Sequence, residues 1–296
     1  MNKKSAIRKL HRPTYGDFII ATVILLLALT CILPFMHVIS ISLSADAPVM
    51  ARQVNLWPIG FNFDAYLTVF RDGQMVSSMF YTVRMTVIFT AIGMVVTICA
   101  AYPLSIRNLK GRTLIAFVFM FTMLFGAGLI PNFVLFNNLG LLNTMWVLIL
   151  PPAFAPFNIL LMRTYFQSNI PETLYEAADL DGCSRIRMLV SIVLPLSKPI
   201  LATVALFFAV GRWNTFDDAR FFITSRSLMP LQLMLANMAL PANFEAIAFN
   251  EPAHMLPTPE VLRSATVMFA TIPIVMVYPF VQKYFVKGVM IGAVKG

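Results

Sequence analysis

From Thr113 to Met162 the chain runs for 50 residues without an Asp, Glu, Lys or Arg. One straight helix of that length would measure about 75 Å at ~1.5 Å per residue. That is more than twice the ~30 Å hydrocarbon core of a bilayer, so the stretch must turn back on itself. The turn signal is Asn137-Asn138-Leu139-Gly140, where two amides and a glycine interrupt the apolar run. Two spans result, and Pro151 and Pro152 predict a bend in the second. Only 12% of the 296 residues are charged and 59% are hydrophobic, against ~25% charged in a typical soluble domain. Mean hydropathy is +0.79. A disordered chain is excluded, a soluble enzyme is disfavoured, and the solvent that suits this chain is lipid.

Four more runs complete a six-span pattern. Phe18 to Ser44 is 27 residues without charge. Lys3, Lys4, Arg8 and Lys9 before it fit a signal peptide, but the apolar region is too long for one, and the reading is a retained span. Met85 to Ile106 is the second span. The fifth has only 13 uncharged residues between Lys198 and Arg212; both can snorkel to opposite interfaces, and Trp213 suits an aromatic belt. The sixth is Ser264 to Gln282, with Pro273 and Pro279 inside it. Ser227 to Phe244 is uncharged too, but Pro230 and Pro241 bound it and Gln232 and Asn237 interrupt it, so it reads as an external helix at the membrane surface.

Charge fixes the expected orientation. With the N-terminus inside, the inner segments 1–17, 106–112, 162–199 and 283–296 hold 15 of the 22 Lys and Arg and 5 of the 13 acidic residues. Inside is then +10 and outside −1, the asymmetry of the positive-inside pattern. The expected organisation is a cytoplasmic tail 1–17, one six-span domain 18–286 that includes a cytoplasmic loop 169–195 and an external loop 217–263, and a cytoplasmic tail 287–296. The net charge of +9 therefore suits a membrane, not nucleic acid. Cys31, Cys99 and Cys183 are odd in number and widely spaced, with no CxxC, which argues against a disulfide framework or a zinc site.

Two loops carry local structure. In 46–84, Trp57-Pro58-Ile59-Gly60 signals a turn, and Phe63, Tyr66, Leu67 and Phe70 predict a short amphipathic helix from Asn62 or Asp64. It suits an interface helix and a landing surface for an external partner. In 162–199, Asn169 with Glu172 three residues on reads as a capping box, and Pro171 is tolerated in the first turn. That helix should run to about Asp181 and close at Gly182 in a left-handed conformation. Ser184 should cap a second helix that stops near Pro195. The small apolar faces, Leu174, Ala177, Ala178 and Leu180, then Met188, Leu189 and Ile192, bury little by themselves. With Glu176, Asp179 and Asp181 around them, they suit a groove on another protein.

Glu176-Ala177-Ala178, Asp181-Gly182 and Leu194-Pro195, with Pro195 thirteen residues after the glycine, resemble the EAA loop of membrane subunits of bacterial ATP-binding-cassette importers. Ile170-Pro171-Glu172 and Pro199 fit as well. Asn55-Leu56-Trp57-Pro58, Ala101-Tyr102-Pro103-Leu104-Ser105, Gly128-Leu129-Ile130-Pro131, Leu139-Gly140-Leu141-Leu142-Asn143-Thr144, Tyr278-Pro279-Phe280 and the tail from Lys287 to Lys295 resemble the second permease of complex-oligosaccharide importers. The resemblance is nearer to the lipoprotein-dependent or polysaccharide-fragment branch than to the maltose permease. Cys183 stands where alanine is usual and Leu189 where an aromatic is usual.

The resemblance implies an all-α membrane fold of six transmembrane helices, with a cytoplasmic coupling hairpin carried by Glu176, Ala177, Ala178, Asp181, Gly182, Leu189 and Pro195. It implies a heterodimer with a second permease, two ATPase subunits and an external substrate-binding protein, in a bacterial cytoplasmic membrane with both termini cytoplasmic. The chain has no phosphate-binding Gly-x-x-x-x-Gly-Lys-Ser/Thr loop, so ATP and magnesium would sit on the partner ATPases, with no cofactor, metal or catalytic residue here. An ion-coupled sugar transporter and a non-transporting scaffold are the alternatives. No acid lies inside a span, which argues against coupling through a buried carboxylate.

Sugar recognition calls for aromatic faces and hydrogen-bonding side chains, and Asn132, Asn137, Asn158, Asn214, Trp146 and Trp213 are the candidates on the spans. Arg84, Arg212 and Arg263 stand at the predicted outer ends of spans two, five and six. If they converge, their positive rim would favour a uronate-bearing oligosaccharide. At each position the plainer role is helix packing or an interfacial anchor, and Arg212 has a rival partner in Asp217 or Asp218.

The topology is testable directly. In a background free of native cysteines, single cysteines near positions 235 and 290 should react with membrane-impermeant reagents from opposite sides. Labelling of both from outside sealed cells would restore the seven-span alternative.

Overall fold

The computed structural model describes residues 15–71, 73–238 and 257–293, with side chains through residue 279. The expected tails 1–17 and 287–296 and the loop 217–263 therefore fall partly outside the described residues. Among those described there is no strand. The helices are α1 (Tyr15–Ser42), α2 (Asp46–Met50), α3 (Asp64–Arg71), α4 (Gly73–Ser105), α5 (Arg112–Leu124), α6 (Leu129–Asn138), α7 (Leu150–Ala153), α8 (Pro156–Asn169), α9 (Glu172–Leu180), α10 (Arg185–Met188), α11 (Leu194–Leu196), α12 (Lys198–Asn214), α13 (Asp217–Phe222), α14 (Leu231–Met238) and α15 (Pro259–Ala293). The described residues divide into two compact units, those within Met1–Val69 and Ala248–Met268, and those within Phe70–Ile247 and Phe269–Gly296.

Among the described residues three helices are long and apolar enough to cross a membrane: α1, α4 and the Pro259–Pro279 part of α15. Three bent pairs make six if each counts as one span. The 113–162 stretch does turn at Asn137–Gly140, where Gly140 adopts φ +65° and its N–H bonds to Asn137 O at 3.0 Å. The second span of this stretch is bent, by 42° between Met145–Ala153 and α8, but the break falls at Phe154 and Ala155, because Pro151 and Pro152 are accommodated in the first turn of α7. A third break was not foreseen. Between α5 and α6, residues 125–128 leave the helix, Gly128 takes φ +84°, and the two helices meet at 111°. Gly126 and Gly128, on either side of Ala127, supply the backbone freedom that apolar periodicity does not register.

In the first unit, Asn62 Oδ1 accepts from Asp64 N at 2.7 Å and opens α3 where the sequence placed its start. The face that α3 buries is Ala65 and Val69, while Phe63, Leu67 and Phe70 remain exposed. The Trp57–Gly60 turn closes with Gly60 at φ +68° and its α-carbon against Ala45, where an added Cβ would stand 2.9 Å from the Ala45 Cβ. His37 Nδ1 meets Asn55 O at 2.7 Å, and Tyr66 Oη meets Ser42 Oγ at 2.8 Å.

The second unit is organised around α4, which packs along α8 and α12. Met85, Ile159, Met162, Phe166 and Val204 are fully buried there. Gly93 lets α12 approach: a Cβ at that position would lie 2.8 Å from the Phe208 ring. Phe208 itself packs edge-on to Phe89 at 5.5 Å. α14 also leans on α4, with Leu231 N donating to Thr82 Oγ1 at 2.8 Å and Ser78 Oγ donating to Met234 Sδ at 2.8 Å. The helix expected within 227–244 is thus present over Leu231–Met238, and 239–244 lies outside the described residues.

One charge lies inside this packing. Arg212, only 3% exposed, does not snorkel. Its Nη1 donates to Leu148 O at 3.0 Å and Asp218 Oδ2 at 2.6 Å, and its Nη2 to Thr215 O at 3.1 Å and Asp218 Oδ1 at 2.8 Å. The guanidinium also sits 5.8 Å above the Phe89 ring. This bidentate fork joins α12, α13, α4 and the Met145–Leu148 turn. Asn143 ties the same turn to the chain after α13: its N–H donates to Phe222 O at 2.9 Å and its Oδ1 accepts from Ser225 N at 2.8 Å. Removing one partner of a buried pair strands the other charge. Asp218→Ala should therefore destabilise by about 3 kcal/mol, the low end for such pairs because Asp218 keeps 22% exposure. Thermal unfolding of the purified protein in detergent should shift down clearly; an unchanged midpoint would contradict the role.

Candidate functional site

The hairpin after α8 is built by local chemistry at each corner. α9 spans Glu172–Leu180, and Pro171 occupies its N-cap position without a side-chain cap. The predicted capping box does not form. Asn169 is the last residue of α8 and its Nδ2 donates backward to Tyr165 O at 3.2 Å, while Glu172 pairs with Arg107 at 2.8 Å. A proline at the cap has already fixed the chain direction, and the arginine offers Glu172 a full opposite charge.

The end of α9 follows expectation closely. Gly182 adopts φ +68° and its N–H reaches Asp179 O at 3.1 Å, while Cys183 N reaches Ala178 O at 2.9 Å. That pair of bonds is the Schellman closure, which needs a residue without a Cβ penalty in the left-handed region. Ser184 Oγ then accepts from Arg187 N at 3.3 Å and caps α10. The helix widens into a π-type turn over Leu189–Val193, just ahead of Pro195, which has no N–H to return to the preceding turn. At the buried Ser197 the chain bends 85° into α12.

The hairpin is fixed to one end of α4. Tyr102 Oη donates to Arg185 O at 3.1 Å. α4 ends with carbonyls that lack helical partners, and α8 supplies donors: Arg163 Nε to Leu104 O at 3.1 Å, Gln167 Nε2 to Leu104 O at 3.4 Å and to Ser105 O at 3.3 Å. Arg185 also pairs with Asp179 across the hairpin at 2.9 Å. Both ion pairs are solvated and each adds about 0–1 kcal/mol, so rigidity comes mainly from the backbone closures and the Tyr102 bond. Burial pushes the Tyr175 phenol on α9 above its usual pKa.

Of the apolar residues assigned to the hairpin face, Ala178 and Met188 are buried, and Leu189 and Ile192 are half-buried. Glu176, Ala177, Asp181, Gly182 and Pro195 are exposed. Leu180 is 90% and Ile186 77% exposed, one on each side of the Gly182 corner in the chain. The hairpin thus presents an apolar tip flanked by carboxylates. Tyr102, Arg107, Arg163 and Gln167, which hold it, escaped the sequence reading because their partners lie on other helices.

The residues proposed for a sugar path scatter. Arg84 is not at a helix end: α4 begins eleven residues earlier, since nothing from Gln74 to Val83 breaks a helix. It is exposed, and its Nη2 makes a long contact to Met145 Sδ at 4.0 Å. Trp146, the next residue, is 45% exposed on the turn that Arg212 pins through Leu148. Arg212 is no free rim charge, because Asp218 neutralises it. Trp213 is buried and offers no face for stacking, and Asn158 is buried too. Asn214 is exposed but donates to Val210 O at 2.9 Å. Asn132 is half-buried and Asn137 exposed on α6, away from the Arg212 group in sequence. Arg263 is exposed near the start of α15, in the first unit. Among the described residues no three His, Cys, Asp or Glu side chains are placed to hold a metal ion.

Comparison with known proteins gives this geometry a context. Residues 77–291 match the family described as binding-protein-dependent transport system inner membrane component. The chain is 40% identical over 281 residues to the polygalacturonan/rhamnogalacturonan transport system permease protein YtcP of Bacillus subtilis (strain 168), covering 95% of this chain and 98% of that one. Protein LplC of the same organism is 41% identical over 265 residues, covering 90% of each. The fold superposes with a TM-score of 0.84 on a chain from the crystal structure of a bacterial ABC transporter involved in the import of the acidic polysaccharide alginate, at 32% identity, covering 93% of this chain and 99% of that one. This helical chain, with its Gly182-closed hairpin between α8 and α12, belongs to the family of binding-protein-dependent transport system inner membrane components, the permease subunits of ATP-binding-cassette importers.

Proposed function

We propose that the Glu172–Leu196 hairpin is the cytoplasmic contact with the importer's ATPases, and that this chain moves a uronate-bearing oligosaccharide by alternating access. The observation that carries the reading is the exposed pair Leu180 and Ile186 on a hairpin clamped to the end of α4. An apolar tip held rigidly at the end of a spanning helix is suited to receive a push and pass it on. Closure of an ATPase dimer around Glu176 to Gly182 would move α9, and the Tyr102–Arg185 bond would carry that displacement into α4. ATP and magnesium belong to the partner subunits in this reading, and the chain itself is non-catalytic.

The positive-inside count supports the orientation, with both termini and the hairpin cytoplasmic. A second, homologous permease is supported by the break at residues 125–128. Those residues are exposed, and the apolar α5 and α6 flank them. Non-helical backbone at membrane depth is tolerated only against protein or a water-filled cavity, so this face is unsuited to lipid and suits a partner permease. The acidic substrate class is supported by what similar proteins transport: polygalacturonan and rhamnogalacturonan for one, alginate for another. An external binding protein would deliver the sugar.

The test is uncoupling. Gly182→Val places a β-branched side chain at φ +68°, costing on the order of 1–2 kcal/mol locally. In proteoliposomes containing the whole complex, ATP-driven uptake should fall several-fold while membrane insertion persists. Normal uptake together with normal ATPase co-purification would remove the hairpin from its assigned role.

A further inference from the structure

The positive rim anticipated from three arginines reduces, in the second unit, to Arg84. Arg212 is spent on Asp218 and on two carbonyls. Arg84 is exposed, and among the described residues no carboxylate lies within 4.0 Å of it. Its recorded neighbour is Met145 Sδ, which brings the guanidinium to the turn that carries the exposed indole of Trp146. That turn is held from behind by Arg212 Nη1 on Leu148 O and by Asn143 on Phe222 and Ser225. A cation with uncommitted donors and an aromatic face therefore stand on two elements whose spacing is fixed.

We propose that Arg84 and Trp146 form a subsite for one uronate residue at the external mouth of the translocation path. The guanidinium would fork onto the carboxylate and the indole would stack on the pyranose ring. This rests on the reading of the chain as an importer of acidic oligosaccharides. Depth agrees with it. Arg84 precedes Ser105 by 21 residues, about 31 Å of helix, so with Ser105 at the cytoplasmic boundary Arg84 reaches the opposite one. The buried ion pair has a consequence for selectivity: with Arg212 neutralised by Asp218, Arg84 is the one of the two anticipated second-unit arginines left to meet a carboxylate.

The test uses the whole complex in proteoliposomes with its binding protein and ATP. The probes are linear galacturonate oligomers and the methyl-esterified oligomers of equal length. Arg84→Gln should lower kcat/KM for the acid by about ten- to a hundredfold and leave the ester unchanged. Arg84→Lys should restore most of the acid uptake, since a point charge still attracts the carboxylate. Trp146→Ala should lower uptake of both forms and Trp146→Phe should recover it, because stacking ignores charge. Unchanged acid uptake in Arg84→Gln, equal losses of acid and ester, or failure of lysine to rescue would overturn the assignment. So would losses that follow the anionic lipid content of the vesicles, which would give Arg84 to a headgroup. A wild-type complex that takes up only neutral chains overturns the substrate class itself, and this is seen before any variant is compared.

Discussion

The close approach of α12 to α4 at Gly93 sets the geometry of the second unit. With the Phe208 ring seated where a Cβ would stand, the two helices pack at a distance that larger residues forbid, and overpacking at such a contact costs about 1–3 kcal/mol. Phe208 then meets Phe89, and Phe89 lies under the Arg212 guanidinium. One end of this assembly is closed by the Arg212–Asp218 fork and the Asn143 bonds. The other is closed by Arg163 and Gln167 on the last carbonyls of α4 and by Tyr102 on the hairpin. α4 is thus tied at its C-terminal end and again near Phe89, with the hairpin at that end and Arg84 21 residues before Ser105.

What could be read directly from sequence was what depends on near neighbours. The Gly182 closure, the Ser184 cap and the start of α3 at Asp64 are each decided within five residues, and each stands in the structure. The spans were legible because apolar length against bilayer thickness leaves few alternatives. The importer-permease resemblance was legible because identity and spacing coincided along most of the chain. Where two local solutions competed, the local rule failed: Asn169 and Glu172 had the spacing of a capping box, but Pro171 between them and Arg107 on another segment decided otherwise.

The remaining features depend on tertiary partners. Nothing near Arg212 in sequence says whether it snorkels or folds back onto Asp218; burial among α4, α12 and α13 decides. Charge alone put Arg84 at the end of a span, while the helix continues eleven residues beyond it. The break at 125–128 was hidden because Phe125, Gly126, Ala127 and Gly128 are as apolar as their surroundings. The two glycines were the available signal, and hydropathy gives them no weight.

The central claim is that force enters this permease at the hairpin tip. A cysteine at Leu180, the most exposed apolar residue there, tests it in the assembled complex with a short bifunctional reagent. The account predicts a cross-link from Leu180→Cys to the ATPase subunit, and none from Leu139→Cys beside the α6 turn at Gly140. An ATPase that cross-links to neither position, or to position 139 instead, would contradict it.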